Sequence, residues 1–124
     1  MDEGRPIFLQ IAEQLQNAII DGSLPEEAQA PSTNELAAFH RINPATAAKG
    51  INQLVADGIL LKRRGIGMFV APGARAELVQ RRRNDFAQQY VRPLVAEARK
   101  LGLAIDDLKA LIDQTRSEEM QDQA

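Results

Sequence analysis

Apolar positions in the first third of the chain follow a helical period. Between residues 6 and 21 they predict a first helix, which Gly22 would end ahead of a proline-bearing loop. Ser32 and Glu35 then have the spacing of a capping box, so a short second helix is expected to begin there and to stop near His40. Three apolar residues of this helix are predicted to be buried: Leu36, Ala37 and Phe39.

A third helix is indicated directly afterwards. Asn43 is a favourable N-cap and Pro44 suits the first helical position. The helical period then runs to about Asp57, and Gly58 would end the helix. Two helices joined by a tight turn, the second amphipathic with a polar outer face, predict a helix-turn-helix.

Beyond the third helix the apolar period becomes that of β-strands. Residues 59–62 and 66–70 are β-prone and flank Arg63-Arg64-Gly65, which indicates a hairpin with arginines at its tip. Helix, helix, helix and hairpin in this order predict a winged helix-turn-helix over about residues 6–71. The expected fold class is therefore mainly α with a small β-hairpin wing.

Pro72-Gly73 interrupts the pattern and separates two predicted domains. Residues 1–72 would form the winged helix-turn-helix head, and residues 73–124 a short tail of two helices. Pro93 lies inside the first tail helix and should kink or divide it near Arg92, because proline cannot donate a backbone hydrogen bond.

The tail carries a long apolar seam. Its last helix is expected over about residues 105–117, with residues 118–124 fraying. Such a seam is too long and apolar to stay exposed on a thin appendage, so burial across a dimer interface is expected. The predicted dimerisation residues are Val79, Phe86, Tyr90, Leu94, Leu101, Leu108, Leu111 and Ile112.

Charge is segregated along the chain. The 124 residues carry 15 basic and 17 acidic side chains, and the net charge of −2 alone would argue against a nucleic-acid partner. Residues 1–39 hold seven acids and one arginine, residues 40–73 hold five basic residues and one acid, and residues 74–124 balance. The basic block thus coincides with the third helix and the wing. A nucleic-acid partner is therefore expected despite the net negative charge.

Several protein classes are not expected. A chain of 13.6 kDa excludes large catalytic architectures. There is no cysteine and one histidine, and no P-loop, GxGxxG, GxSxG or HExxH motif, so neither an enzyme nor a metal or cofactor is expected. No apolar run approaches the roughly twenty residues of a transmembrane helix, and no signal peptide is visible, so a cytoplasmic protein without membrane contact is expected.

Four motifs carry a family resemblance: Pro31-Ser32-x-x-Glu35-Leu36-Ala37, Asn43-Pro44-x-Thr46, Leu54-x-x-Asp57-Gly58 and Arg64-Gly65-x-Gly67-x-Phe69-Val70. In this order they resemble the GntR family of bacterial transcription regulators. The tail looks like that of the YtrA-type subfamily at Phe86, Pro93-Leu94, Ala98 and Leu101-Gly102. The resemblance implies a winged-helix operator binder, expected to act as a repressor, that works as a homodimer through its tail helices.

The chain also departs from the family pattern. The broad family often has Ser-Arg at Asn43-Pro44 and arginine at Asn34 and Ala48, so three arginine contacts to DNA cannot be transferred. Thr46 does match. In the last helix the subfamily tends to have a serine or threonine cap where Ala104 stands, which should weaken that helix start by about 1 kcal/mol.

The first turns of the third helix are placed to read the major groove. Thr46 can bond a base or phosphate or contact a thymine methyl, and Lys49 can reach a guanine edge or a phosphate. Amides at the starts of the second and third helices suit phosphates, and the hairpin suits the backbone or a minor groove. The expected DNA-binding residues are Ser32, Thr33, Asn34, Asn43, Pro44, Ala45, Thr46, Lys49, Lys62, Arg63, Arg64, Gly65 and Gly67.

Structural alternatives stay open for several of these residues. Asn43 is a helix cap before it is a base reader, and a basic hairpin tip is by itself a solvated turn. A protein-interaction module without sequence-specific DNA binding is the alternative function, since the acidic first segment could face a basic partner. A small-molecule effector, if present, would be expected at the dimer interface or between head and tail, because two helices cannot enclose a drug-sized site.

Overall fold

The computed structural model describes residues 4–122. Over this range the chain forms two compact units, one up to Arg81 and one from Arg82 onwards. The elements are α1 (Ile7–Asp21), α2 (Thr33–His40), α3 (Pro44–Ala56), β1 (Leu60–Arg63), β2 (Gly67–Val70), α4 (Ala74–Phe86), a π-helical turn (Ala87–Val91), α5 (Arg92–Lys100) and α6 (Ile105–Asp122).

The first unit packs three helices and a hairpin around one apolar core, as the sequence predicts. The large side chains that are almost fully buried come from α1, from α3 and from the segments around the hairpin. Burying each of them contributes about 1.5–3 kcal/mol relative to leaving it exposed. They are Ile11, Ile19, Ile51, Leu54, Ile59, Leu60 and Val70.

The helix caps predicted from the sequence are present at the ends of α1, α2 and α3 where they were expected. The first helix ends at Gly22, whose φ of 88° is in the left-handed region. Both halves of the capping box at α2 are formed, with the Glu35 amide donating to Ser32 Oγ and the Ser32 amide to Glu35 Oε1, each at 3.1 Å. At α3 the Ala45 amide donates to Asn43 Oδ1 at 2.8 Å.

One predicted core residue is on the surface. Phe39 is 83% exposed, although Leu36 and Ala37 on the same helix are buried as predicted. Phe39 lies three residues after Leu36, on the same side of α2, but it borders an open groove between α1 and α2, so its ring stays in contact with solvent. The prediction for Phe39 was therefore wrong.

The wing is larger than the predicted hairpin. Strands β1 and β2 are antiparallel, with Leu61 opposite Phe69 and Arg63 opposite Gly67. The segment before α2, expected to be a loop, lies along the free edge of β2 and pairs with it at Gln29 and Phe69. Backbone atoms that are distant in sequence thus make this part of the sheet.

The start of α4 belongs to the first unit. Ala74 and Leu78 are buried in its core, and Arg75 Nε donates to the carbonyl of Ile20 at 2.9 Å. That carbonyl is in the last turn of α1, where carbonyls lack helical partners. The boundary between the compact units consequently falls after Arg81 and not at the predicted position after Pro72.

The second unit consists of the end of α4, the π-helical turn and the helices α5 and α6. The turn ends at Val91, just before Arg92 and Pro93, and the backbone stays helical through it, so the irregularity predicted near Arg92 is a π-helical bulge and not a break. Ala98 on α5 and Leu108 on α6 are its buried residues over the described range. The predicted fraying is wrong for residues 118–122, because α6 continues to Asp122, and residues 123–124 lie outside the described part. Within residues 4–122, no helix has the length and apolar character needed to cross a membrane.

Candidate nucleic-acid interface

The outer face of α3 is open to solvent, as a recognition helix requires. Ala45 and Lys49 are exposed and Thr46 is half-buried, so the predicted reading residues remain accessible. Asn52 is exposed three residues after Lys49, on the same face of the helix. The prediction omitted Asn52, although its spacing from Ala45 and Lys49 would have placed it there, and asparagine can pair with adenine in the major groove.

In the first turn of α3, the backbone amides of Ala45, Thr46 and Ala47 donate hydrogen bonds to the cap residue Asn43. Asn43 Oδ1 accepts from the Ala45 amide, while the Asn43 carbonyl accepts from the Thr46 amide at 3.0 Å and from the Ala47 amide at 3.2 Å. Pro44 has no amide hydrogen. The amides of Ala45, Thr46 and Ala47 therefore already have acceptors within the protein, which disfavours the predicted phosphate contact at this helix start. The structure shows Asn43 in its capping role.

Lys49 makes a contact with α1 that was not predicted from the sequence. Its Nζ lies 4.1 Å from the centroid of the Phe8 ring on α1, a cation–π contact. At an exposed site such a contact is worth about 0.5–1 kcal/mol. The ammonium is thus held at the flank of α3, and reaching a base edge would mean giving up this contact.

The start of α2 offers a different anion site. The capping box uses the amides of Ser32 and Glu35, so the amides at the first two helical positions, Thr33 and Asn34, are those that the box leaves available. Asn34 is exposed and Thr33 half-buried. These amides and the helix dipole favour a phosphate oxygen, while the Glu35 carboxylate is turned back to its own helix.

The wing presents its basic residues to solvent. Lys62, Arg63 and Arg64 are all exposed, and the guanidinium of Arg63 lies 4.5 Å from the Phe69 ring centroid on the neighbouring strand. Arg63 belongs to β1, so the tip consists of residues 64–66 and not of Arg63-Arg64-Gly65 as predicted. Ile66, which the prediction omitted, is 64% exposed at this tip and has the character of an apolar minor-groove contact.

Two glycines give the wing tip its shape. Gly65 has a φ of 76° and Gly67 a φ of 140°, both in regions where other residues are strained. The turn is closed by the Ile66 amide, which donates to the Arg63 carbonyl at 3.0 Å. Both glycines lie where the sequence places them, and they let the backbone of the wing approach a neighbour closely.

The predicted dimerisation residues divide into three groups. Most remain substantially exposed in the second unit, and the rings of Phe86 and Tyr90 there lie 5.6 Å apart. Leu108 is only 8% exposed, so it packs within the unit and has little surface left for a partner. Val79 lies in the first unit and is half-buried. The exposed set is Phe86, Tyr90, Leu94, Leu101, Leu111 and Ile112.

A groove of about 420 Å³ lies between α1 and α2 in the first unit. Its lining includes Leu15 and Leu36, with Phe39 and Glu35 also on its walls. A volume of about 300–1,000 Å³ is typical of small-molecule sites. This groove lies in the first unit and not at the dimer interface or between head and tail, where an effector is expected from the sequence.

Comparison with known proteins agrees with the geometry. Residues 8–70 match the sequence profile of the "Bacterial regulatory proteins, gntR family". The HTH-type transcriptional repressor YtrA of Bacillus subtilis is 28% identical over 103 residues, which cover 83% of this chain and 78% of YtrA.

Solved structures share the fold. A putative GntR-family regulator from Bacteroides thetaiotaomicron superposes with a TM-score of 0.72 at 30% identity, over 95% of this chain and 99% of that one. The AraR DNA-binding domain in complex with operator ORX1 gives a TM-score of 0.53 at 30% identity, over 57% of this chain and 87% of that one. A matching profile over half of the sequence, a shared fold and an open recognition helix beside a basic wing lead to one conclusion. The chain belongs to the GntR family of bacterial regulatory proteins and is a DNA-binding transcriptional regulator.

Proposed function

We propose that the protein is a repressor whose α3 enters the major groove of an operator. The observation that carries this proposal is the exposed face of α3, with Ala45, Thr46 and Lys49 accessible beside a basic wing. Thr46 and Lys49 contact bases, and Ala45 allows close approach to a thymine methyl. The repressor role is supported by the similarity to YtrA, which is named a repressor.

The flanking elements would hold the DNA backbone. The amides of Thr33 and Asn34 at the start of α2 receive one phosphate. Lys62, Arg63 and Arg64 follow the backbone or enter the adjacent minor groove, where Ile66 adds an apolar contact. Such contacts set orientation and affinity, while the face of α3 supplies the sequence preference.

The protein acts as a homodimer in this proposal. The unit up to Arg81 binds DNA in the cytoplasm, and the unit from Arg82 onwards pairs two copies. Support comes from the exposed apolar side chains of the second unit, among them Phe86 at 58%, Tyr90 at 63% and Leu101 at 65%. Water-exposed apolar groups on this scale are unfavourable in a monomer and are covered when two copies meet. Two-fold symmetry then calls for an inverted-repeat operator.

Selection of bound duplexes from a random pool tests the proposal directly. We expect an inverted repeat with half-sites about one helical turn apart, or a multiple of it. A single asymmetric site would contradict the symmetric dimer. Failure to enrich any sequence would contradict sequence-specific binding and favour the alternative of a protein-interaction module.

Matched variants test which surface meets the DNA. Lys49→Ala should weaken operator binding, whereas Arg82→Ala, a charge removal of equal size outside the proposed interface, should change it little. Affinity should also fall with salt, with a logarithmic slope of about −0.9 for each phosphate neutralised. Equal losses in both variants would contradict the assigned interface.

A further inference from the structure

The segment before α2 pairs with β2 through backbone hydrogen bonds, as a short third strand of the wing would. The Ala30 amide donates to the Met68 carbonyl at 2.8 Å, and the Val70 amide donates to the Ala28 carbonyl at 2.9 Å. The Glu27 amide donates to the Val70 carbonyl at 2.8 Å. This ladder joins the wing to the chain that enters α2 two residues later.

Gln29 occupies the central position of that ladder, opposite Phe69. Its side chain extends past the end of the ladder, where Nε2 donates to the carbonyl of Ile66 at 3.0 Å. The two residues are 37 positions apart in sequence. Ile66 is part of the wing tip, so this bond joins the tip directly to the segment before α2.

Gly67 leaves the space that Gln29 needs. A Cβ at Gly67 would lie 2.6 Å from Gln29 Nε2 and 3.6 Å from its Cδ, the first of which is closer than real Cβ contacts allow. A side chain at this position would displace the Gln29 amide from its bond to the Ile66 carbonyl, and the φ of 140° by itself favours glycine here. The Gln29 side chain therefore packs against the backbone at Gly67, next to the wing tip.

We propose that Gln29 is a positioning residue for DNA binding, which fixes the wing tip relative to the start of α2. This rests on the proposed function, in which the tip and the start of α2 hold the backbone of one operator. A carboxamide suits the role because it donates to a carbonyl without adding charge, and glutamine has the length to reach the tip. Asparagine is one methylene shorter, and glutamate has no donor when ionised.

The test measures operator affinity of the full chain for Gln29→Ala, with and without Arg64→Ala. A net hydrogen bond of this kind corresponds to a change of about fivefold in an equilibrium constant. Gln29→Ala should therefore weaken binding about fivefold when Arg64 is present and by less than that when Arg64 is absent, because Ile66 is then the tip contact that remains. Gln14→Ala, which removes another exposed glutamine of the same unit, is the matched control and should keep wild-type affinity.

Two further measurements separate positioning from general stability. Hydrogen exchange of the Ile66 amide should become about fivefold faster in Gln29→Ala, because the turn that it closes loses its support. Gln29→Met, which keeps the length but cannot donate, should behave like Gln29→Ala. Melting followed by circular dichroism should show that all variants remain folded at the assay temperature.

The results that overturn the proposal are distinct from those that overturn the function. An equal loss from Gln29→Ala in both Arg64 backgrounds would show a direct DNA contact or a general effect, and wild-type binding by Gln29→Met would show simple packing. Either result refutes the positioning role while DNA binding by the wing stands. If Arg64→Ala alone leaves operator affinity unchanged, the proposed contact of Arg64 with DNA is what fails.

Discussion

Replacing Gly50 by alanine should destabilise the protein, although alanine is the better helix former. Gly50 is buried inside α3, where its backbone lies close to Phe8 and Ile11 of α1. A Cβ there would lie 2.8 Å from the carbonyl oxygen of Phe8 and 3.2 Å from Cβ and Cγ2 of Ile11. The oxygen belongs to the backbone of α1, so relief of the contact has to come from moving one helix away from the other.

The expected magnitude follows from two opposing terms. Alanine is favoured over glycine inside a helix by about 1 kcal/mol. Adding a methylene to a packed contact costs about 1–3 kcal/mol. The net loss in the free energy of unfolding is about 1 kcal/mol, which lowers the melting temperature of a domain of this size by about 4–8 °C. The shift of α3 should also weaken operator binding at temperatures where the variant is folded.

Thermal melting of the full chain at one fixed protein concentration measures the effect, since dimerisation makes the midpoint depend on concentration. Asn52→Ala is the control for stability, because it raises helix propensity on the exposed face of the same helix without a new contact. A melting temperature for Gly50→Ala equal to or above that of the wild type would refute the reasoning, because it would mean that propensity outweighs the close approach.

Three other predictions concern the tail and the end of α1. Ala104→Ser should raise the free energy of unfolding by about 1 kcal/mol, because Asp107 Oδ2 already accepts from the residue-104 amide at 3.1 Å and serine would complete the capping box. Urea unfolding measures this, and an unchanged midpoint concentration would contradict it. Leu94→Asp should convert a dimer into a monomer in sedimentation at micromolar concentration, and a wild-type monomer would refute the proposed assembly. Hydrogen bonds from the Ser23 hydroxyl and amide hold the pKa of Asp21 below its usual value, so the stability they give is present above that usual pKa and is lost as the pH falls through the lowered one. Ser23→Ala should raise the Asp21 pKa in a carboxyl NMR titration, and an unmoved midpoint would contradict the cause given.

Signals that act within a few residues predicted the helices well. The capping box at Ser32 and Glu35, the cap at Asn43 and the left-handed Gly22 are all present where the sequence indicates. Each depends on groups no more than about four residues apart, so the sequence contains the whole interaction. The π-helical turn lies just before Pro93 for a similarly local reason, the missing amide hydrogen of proline.

Contacts between distant segments were beyond the reach of such signals. Apolar spacing identified the residues of α2 that could be buried but not the number that α1 and α3 would cover, and Phe39 stayed exposed. Leu108 was assigned to a partner copy and is buried within its own unit. A helical period tells which residues share a face and does not tell which neighbour that face meets.

The sequence by itself determined the order of elements, the helix ends, the basic middle block and the resemblance that the comparisons support. Only the tertiary structure showed that Lys49 lies over Phe8 and that Gln29 reaches the wing tip. The reason is physical. Caps and turns are set by neighbouring atoms in the chain, whereas the position of a DNA-facing side chain depends on the partners that folding brings from 37 or more residues away.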